Sequence, residues 1–245
     1  MEIIEDELGD IILPPDEKDI IKRVVHTSAD FDYVRNLRFS PGAVNQALTA
    51  LKGGCTIVTD TNMACMGISQ PGLKKLGCRK VCFMADEDVA AAAKAQGTTR
   101  AQASMDKAAA LEGPVIVAVG NAPTALLRLR ELIDAGKMRP ALIIGVPVGF
   151  VNVVYAKEVI MEAGVPYIVA KGRKGGSTIA AAICNERVGG TPAVRFHHSL
   201  FWYNGGFLRA TNHEPRATAF SSDSDAAFRC DELKVTTMLG EALST

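Results

Sequence analysis

The chain has 245 residues, with 27 Lys and Arg balanced by 27 Asp and Glu for a net charge of zero, and 48% of its residues are hydrophobic. This length suits one α/β domain with a full core, or one domain plus an appendage. With this even charge nothing points to a nucleic-acid or membrane-surface binder, and the longest apolar stretch, 140–156, is interrupted by Pro147, two glycines and Asn152, so it reads as strand, turn and helix start instead of a membrane span.

The chain opens with a short amphipathic helix and turns at Pro14-Pro15, where Asp16 can cap a second helix through Ile20, Ile21, Val24 and Val25. That helix delivers His26 and the segment HTSADFD. Ser40 then caps a further helix with Pro41 at its first position, ending near Gly53-Gly54. Five apolar runs follow, each released into a loop and then a helical segment: Cys55–Thr59, Lys80–Met84, Val115–Val119, Ala141–Val146 and Tyr167–Ala170. Between them lie alanine-rich helices at 88–96 and 99–111, separated by Gly97, and helices at 122–135 and 152–163, closed by Gly136 and Gly164. A last helix is expected from about Thr178 to Asn185. The alternation predicts an α/β fold: a three-layer, doubly wound, mainly parallel sheet of about five strands. From residue 186 the periodicity stops, and the segment 186–245 reads as a loop-rich tail with a short helix near 231–243.

The six cysteines form no paired CxxC pattern, and several fall inside apolar strands, which favours reduced, packed thiols. The acidic amino terminus lacks the apolar core of a signal peptide. Both observations lead to the expectation of a cytoplasmic protein.

In a parallel sheet the ligand lies beyond the carboxyl ends of the strands, so the loops there carry the functional candidates. Asp60, Thr61 and Asn62 leave the first strand; they serve either to bind a ligand or to cap the next helix. GNAPT (120–124) and GVPVGF (145–150) read either as ordinary tight turns or, as neighbours, as one anion pocket. KGRKGGS (171–177) sets Lys171, Arg173 and Lys174 beside Gly175-Gly176-Ser177 at a helix start. That combination favours a carboxylate or phosphate, with a solvated basic loop as the plain alternative. Arg100 opens a helix against its dipole, so it either faces an anionic ligand or is an ordinary surface arginine. His26, among hydroxyls and carboxylates, is either a proton-transfer group or a capping histidine. No P-loop, GxGxxG, GxSxG or zinc spacing occurs; His197, His198, His213 and Cys230 are irregularly placed.

Taken together, VVHTSADFDY (24–33), FSPGAV (39–44), IVTDTNMACMGI (57–68), CFMAD (82–86), TTRAQASM (98–105), GNAPTALLRL (120–129), PALIIGVPVGFVN (140–152) and GRKGGSTIAAAICN (172–185) resemble the precorrin-8X methylmutase family of cobalamin biosynthesis over about residues 1–185. HTSADFDY and DTNMA look more like its anaerobic branch, the cobalt-precorrin-8 methylmutases. The resemblance implies a doubly wound sandwich and an isomerase that moves a methyl group from C11 to C12 of the corrin ring. It implies that His26 manages a proton at ring C. It further implies that Asp60, Thr61 and Arg100 contact substrate, and that Gly120, Asn121, Gly145, Val148, Gly149, Arg173, Gly175, Gly176 and Ser177 line the cleft. Met63, Met66, Val148 and Phe150 would supply apolar walls. No cofactor or metal site is implied, since any cobalt belongs to the substrate; the partners implied are a corrinoid and a second copy of the chain, as a homodimer or other homo-oligomer.

Three departures stand out. The family has further residues before its first helix, where this chain begins at Met1, so one wall of the pocket is expected to be missing. After GFVN the family shows a small residue and then Glu-Ser-Lys, where this chain has Val153-Val154-Tyr155-Ala156-Lys157. The segment from Glu186 matches nothing in the family; a frameshifted or fused coding end is the preferred explanation, a genuine extension the alternative. Two other functions remain in view: a non-catalytic corrinoid-binding or carrier protein, and a nucleotide-dependent oxidoreductase, the latter by fold analogy only.

Overall fold

A computed structural model describes residues 2–190. The expected tail therefore lies outside the described residues, apart from 186–190, which are helical.

The elements run α1 (Glu2–Leu8), α2 (Pro15–Ser28), α3 (Asp32–Asn36), β1 (Leu37–Phe39), α4 (Ala43–Lys52), β2 (Thr56–Thr59), α5 (Asn62–Gly67), α6 (Gln70–Lys75), β3 (Arg79–Val81), α7 (Glu87–Gln96), α8 (Arg100–Ala109), β4 (Val115–Val119), α9 (Pro123–Asp134), β5 (Leu142–Gly145), α10 (Val153–Met161), β6 (Tyr167–Ala170) and α11 (Ser177–Gly190). The strands form one sheet in the order β1-β6-β5-β4-β2-β3. β2 to β6 are parallel, and β1 runs antiparallel along the β6 edge.

β2, β4 and β5 are buried along their whole length, which is why β4 and β5 are continuous apolar runs and β2 sets Ile57 and Val58 between two buried threonines, with no alternation of exposed polar residues. Successive side chains still point to opposite faces. Ile57, Ile116, Ala118, Leu142, Ile144 and Ile168 pack under α2, α4 and α11. Val58, Val117, Val119, Ile143 and Val169 pack under α8, α9 and α10. The result is the expected α/β/α sandwich. From β2 the chain crosses outward to β3, whereas from β4 it proceeds the other way to β5 and β6. The winding thus reverses between β2 and β4, and the crevice above that reversal is where such sheets bind ligands.

Several local expectations are corrected. The sheet has six strands, because Leu37–Phe39 pairs with β6. Ser40 extends that pairing instead of capping a helix: its N–H donates to Tyr167 O and its hydroxyl accepts from Tyr167 N, both at 3.0 Å. Gly42, left-handed at φ 70°, caps α4 in its place. Asp16 sits in the first turn of α2, behind Pro14 as cap. Among the described cysteines all are free, with Cys55, Cys78 and Cys184 buried.

Candidate active site

The loops at the carboxyl ends of β2, β4, β5 and β6 are locked to one another. Asp60, directly after β2, is 1% exposed. Its carboxylate accepts backbone N–H bonds from Gly120 (2.8 Å), Asn121 (2.8 Å) and Ala122 (2.6 Å). Burial pushes the Asp60 carboxyl up, against the pull of these three bonds toward the charged form. Thr61 caps α5, accepting from Ala64 N at 3.1 Å, and its hydroxyl meets Ser177 Oγ at 2.8 Å.

The glycines explain how closely these segments approach. A Cβ on Gly120 would stand 2.7 Å from Ser177 Cα, and one on Gly175 only 2.0 Å from Val146 O. The N–H of Gly176 donates to Val146 O at 2.8 Å, and that of Gly149 to Arg173 O at 3.2 Å. Gly145 is buried within β5 against Val169 and Leu126. The structure divides this set by what each residue touches within the fold. The anion in the 120–122 turn is Asp60 itself, and Gly120, Gly145 and Gly175 make room for neighbouring protein. What remains on the surface is Asn121, Val148 and Arg173, with Thr61, Gly149, Gly176 and Ser177 half-buried.

His26 lies exposed in the last turn of α2. The helix ends at Ala29, in the left-handed region at φ 52°, and the chain turns to Asp30 and Asp32. Lys174 Nζ reaches both carboxylates at 2.6 Å. That ammonium holds the Asp30 carboxyl below the usual range. The backbone adds a tie, Lys171 N to Asn36 O at 2.8 Å. The helix end bearing His26 is thereby fastened to the 171–177 loop, on the same edge of the sheet as the glycine turns. Lys174, expected as a ligand-facing cation, is engaged within the fold.

Arg100 is exposed at the first position of α8. The preceding cap, Thr99, pairs with Gln102 in a capping box, and its hydroxyl lies 3.2 Å from that of Thr124 at the start of α9. This brings α8's amino terminus to the 120–124 loop. Arg173 stacks on Phe150, 5.5 Å from the ring centroid, and Phe150 is itself 84% exposed. Met63, Met66 and Val148 are also exposed. One edge of the molecule thus carries an imidazole, two guanidinium groups, an amide and a band of apolar side chains. That combination suits a flat ligand with carboxylates at its periphery.

Reading by sequence missed Lys157. It is 0% exposed on α10, and its amine donates to Gly172 O and Lys174 O, each at 2.8 Å. Burial alone brings its pKa down to about 8. The signal was present: Val153, Ala156, Lys157 and Ile160 fall at helical spacing on one buried stripe, and a lysine there demands a partner. Tyr155, at the departure noted above, points to solvent, while Ala156 fills the core.

Among the described residues no helix is long and apolar enough to cross a membrane. The family model of precorrin-8X methylmutase matches residues 1–188. A cobalt-precorrin-8 methylmutase of Leptospira interrogans is 43% identical over 189 residues, covering 74% of this chain and 86% of that one. A precorrin-8X methylmutase of Pseudomonas aeruginosa is 42% identical, covering 71% and 84%. The crystal structure of the precorrin-8X methylmutase of Thermus thermophilus aligns with a TM-score of 0.70 at 41% identity, over 76% of this chain and 92% of that one. With its sequence and its fold both in agreement, the chain belongs to the precorrin-8X methylmutase family, the methyl-migrating isomerases of cobalamin biosynthesis.

Proposed function

We propose that this chain converts precorrin-8, with or without cobalt in the ring, to cobyrinate or hydrogenobyrinate by moving the C11 methyl group to C12. The macrocycle lies over the carboxyl edge of the sheet. Its carboxylates engage Arg100, Arg173 and the Asn121 amide, and its face rests on Val148, Phe150 and the methionines of α5. His26 exchanges a proton with ring C, which favours migration; an imidazole suits that task because one ring nitrogen can accept a proton while the other donates one. Every atom that moves stays within one molecule, so the reaction calls for proton placement and shielding and for no group donor.

The observation that carries this reading is the Lys174 clasp, which ties the His26 end of α2 to the glycine loops. The test is His26→Ala. Methyl migration, followed by the ultraviolet–visible change from precorrin-8 to cobyrinate, should be lost, with product binding kept within about tenfold. If His26→Ala turns over as wild type does, the proton role is wrong. The carrier reading predicts no turnover in either protein; it gains no support from the relatives named above. The exposed Phe150, Val151 and Tyr155 around the start of α10 favour association of two copies, and we assign the chain as a cytoplasmic homo-oligomer. Light scattering that gives a monomer mass at micromolar concentration would refute the assembly.

A further inference from the structure

We infer that Lys157 is a positioning residue for this reaction: from inside the core it fixes the 171–177 loop and, through Lys174, the helix end that bears His26. The inference rests on the role proposed for His26. An amine placed at 0% exposure with no carboxylate beside it among the described residues is costly. A methionine or leucine would fill the same stripe of α10 at no such cost. What the amine does, and an apolar side chain cannot, is hold two backbone carbonyls, Gly172 O and Lys174 O, 2.8 Å away each. These belong to a segment that has left the β6 ladder and not yet entered α11.

The same short segment is the hub of the rim. Its Lys174 side chain grips Asp30 and Asp32, the first of them four residues beyond His26. Its Gly175 lies beneath the Val146 carbonyl, and its Ser177 meets Thr61 and Gly120. A displacement of Gly172 and Lys174 is therefore passed to His26 on one side and to the β2, β4 and β5 loops on the other. A neutral amine still has two N–H groups for two acceptors, so the link holds whether or not the group is charged. The depressed pKa agrees with burial that tolerates either form.

The test compares wild type with Lys157→Met, which keeps the length of the side chain and removes its donors. Lys157→Gln serves if the first variant does not fold. Lys174→Ala breaks the outer link at the surface. Hydrogen exchange on ligand-free protein should accelerate at least tenfold in residues 171–177 of the Lys157 variants while the β4 and β5 amides keep their protection. On precorrin-8, kcat per folded molecule should fall about 10- to 100-fold, as a misplacement near 1 Å costs, with KM within about threefold. Lys174→Ala should shift kcat in the same direction. Unchanged exchange in 171–177 overturns the linkage, and faster exchange with unchanged kcat overturns the positioning role. A wild-type chain that cannot convert precorrin-8 overturns the proposed function instead, and the exchange result then decides the linkage alone.

Discussion

Asp60 shows how much one side chain settles at this rim. Its two oxygens serve three backbone donors, that of Gly120 buried and those of Asn121 and Ala122 partly so, which an amide cannot do, since it offers one oxygen and turns an NH2 toward an N–H. Asp60→Asn should lower the stability of the fold by about 3 kcal/mol, read from denaturant midpoints, because a buried donor left unpaired costs ~1–3 kcal/mol and one charge-assisted bond is lost besides. Gly175→Ala should cost ~3 kcal/mol, since its Cβ meets the Val146 carbonyl at 2.0 Å and only backbone can give way. Lys157 adds a pH dependence. Its folded pKa is depressed to about 8, so between pH 8 and its ordinary 10.5 the unfolded chain binds a proton that the folded chain does not. Cys55, Cys82 and Cys184, whose thiols burial pushes up, act in the opposite sense over the same range, so the reading is the difference: the stability of wild type minus that of Lys157→Met should rise with pH across that window.

Among the elements, the parallel strands and their crossover helices were legible, because long buried runs and alanine-rich or amphipathic helices state their period plainly. β1 was not. Three residues are too few to display an alternation, and what makes them a strand is the β6 edge waiting beside them. The start of α4 was misread for a related reason: Ser40-Pro41 has the composition of a cap, but Ser40 finds better partners in Tyr167. At the site, the residue types on the rim could be read, whereas the direction each loop faces could not. A glycine signals close approach without saying of what, and here the neighbour at Gly120 and Gly175 is backbone from another loop. The α2–β6 clasp gives a prediction at this scale. Asp30 is held below the usual carboxylate range by Lys174, so the clasp contributes above the ordinary Asp range and is lost as pH falls through the lowered value. Exposed pairs of this kind add little to overall stability. Lys174→Ala should therefore leave the thermal midpoint nearly unchanged at neutral pH, with whatever difference remains vanishing in strong acid.

Across the whole molecule, the candidate site belongs to no single segment. Thr61 meets Ser177 across 116 residues of chain, and Lys174 meets Asp30 across 144. Contacts of such span close slowly, because the loop entropy is lost before the contact rewards it. During synthesis, which proceeds from the amino terminus, the sheet through β5 can gather while the machinery for handling a corrin is still open. Only when the ribosome has released the last strand and the turn behind it does the rim snap shut. A nascent or clipped chain that stops short of that turn can own a respectable core and yet be chemically silent, so ligand affinity should emerge abruptly, and late, as the polypeptide lengthens.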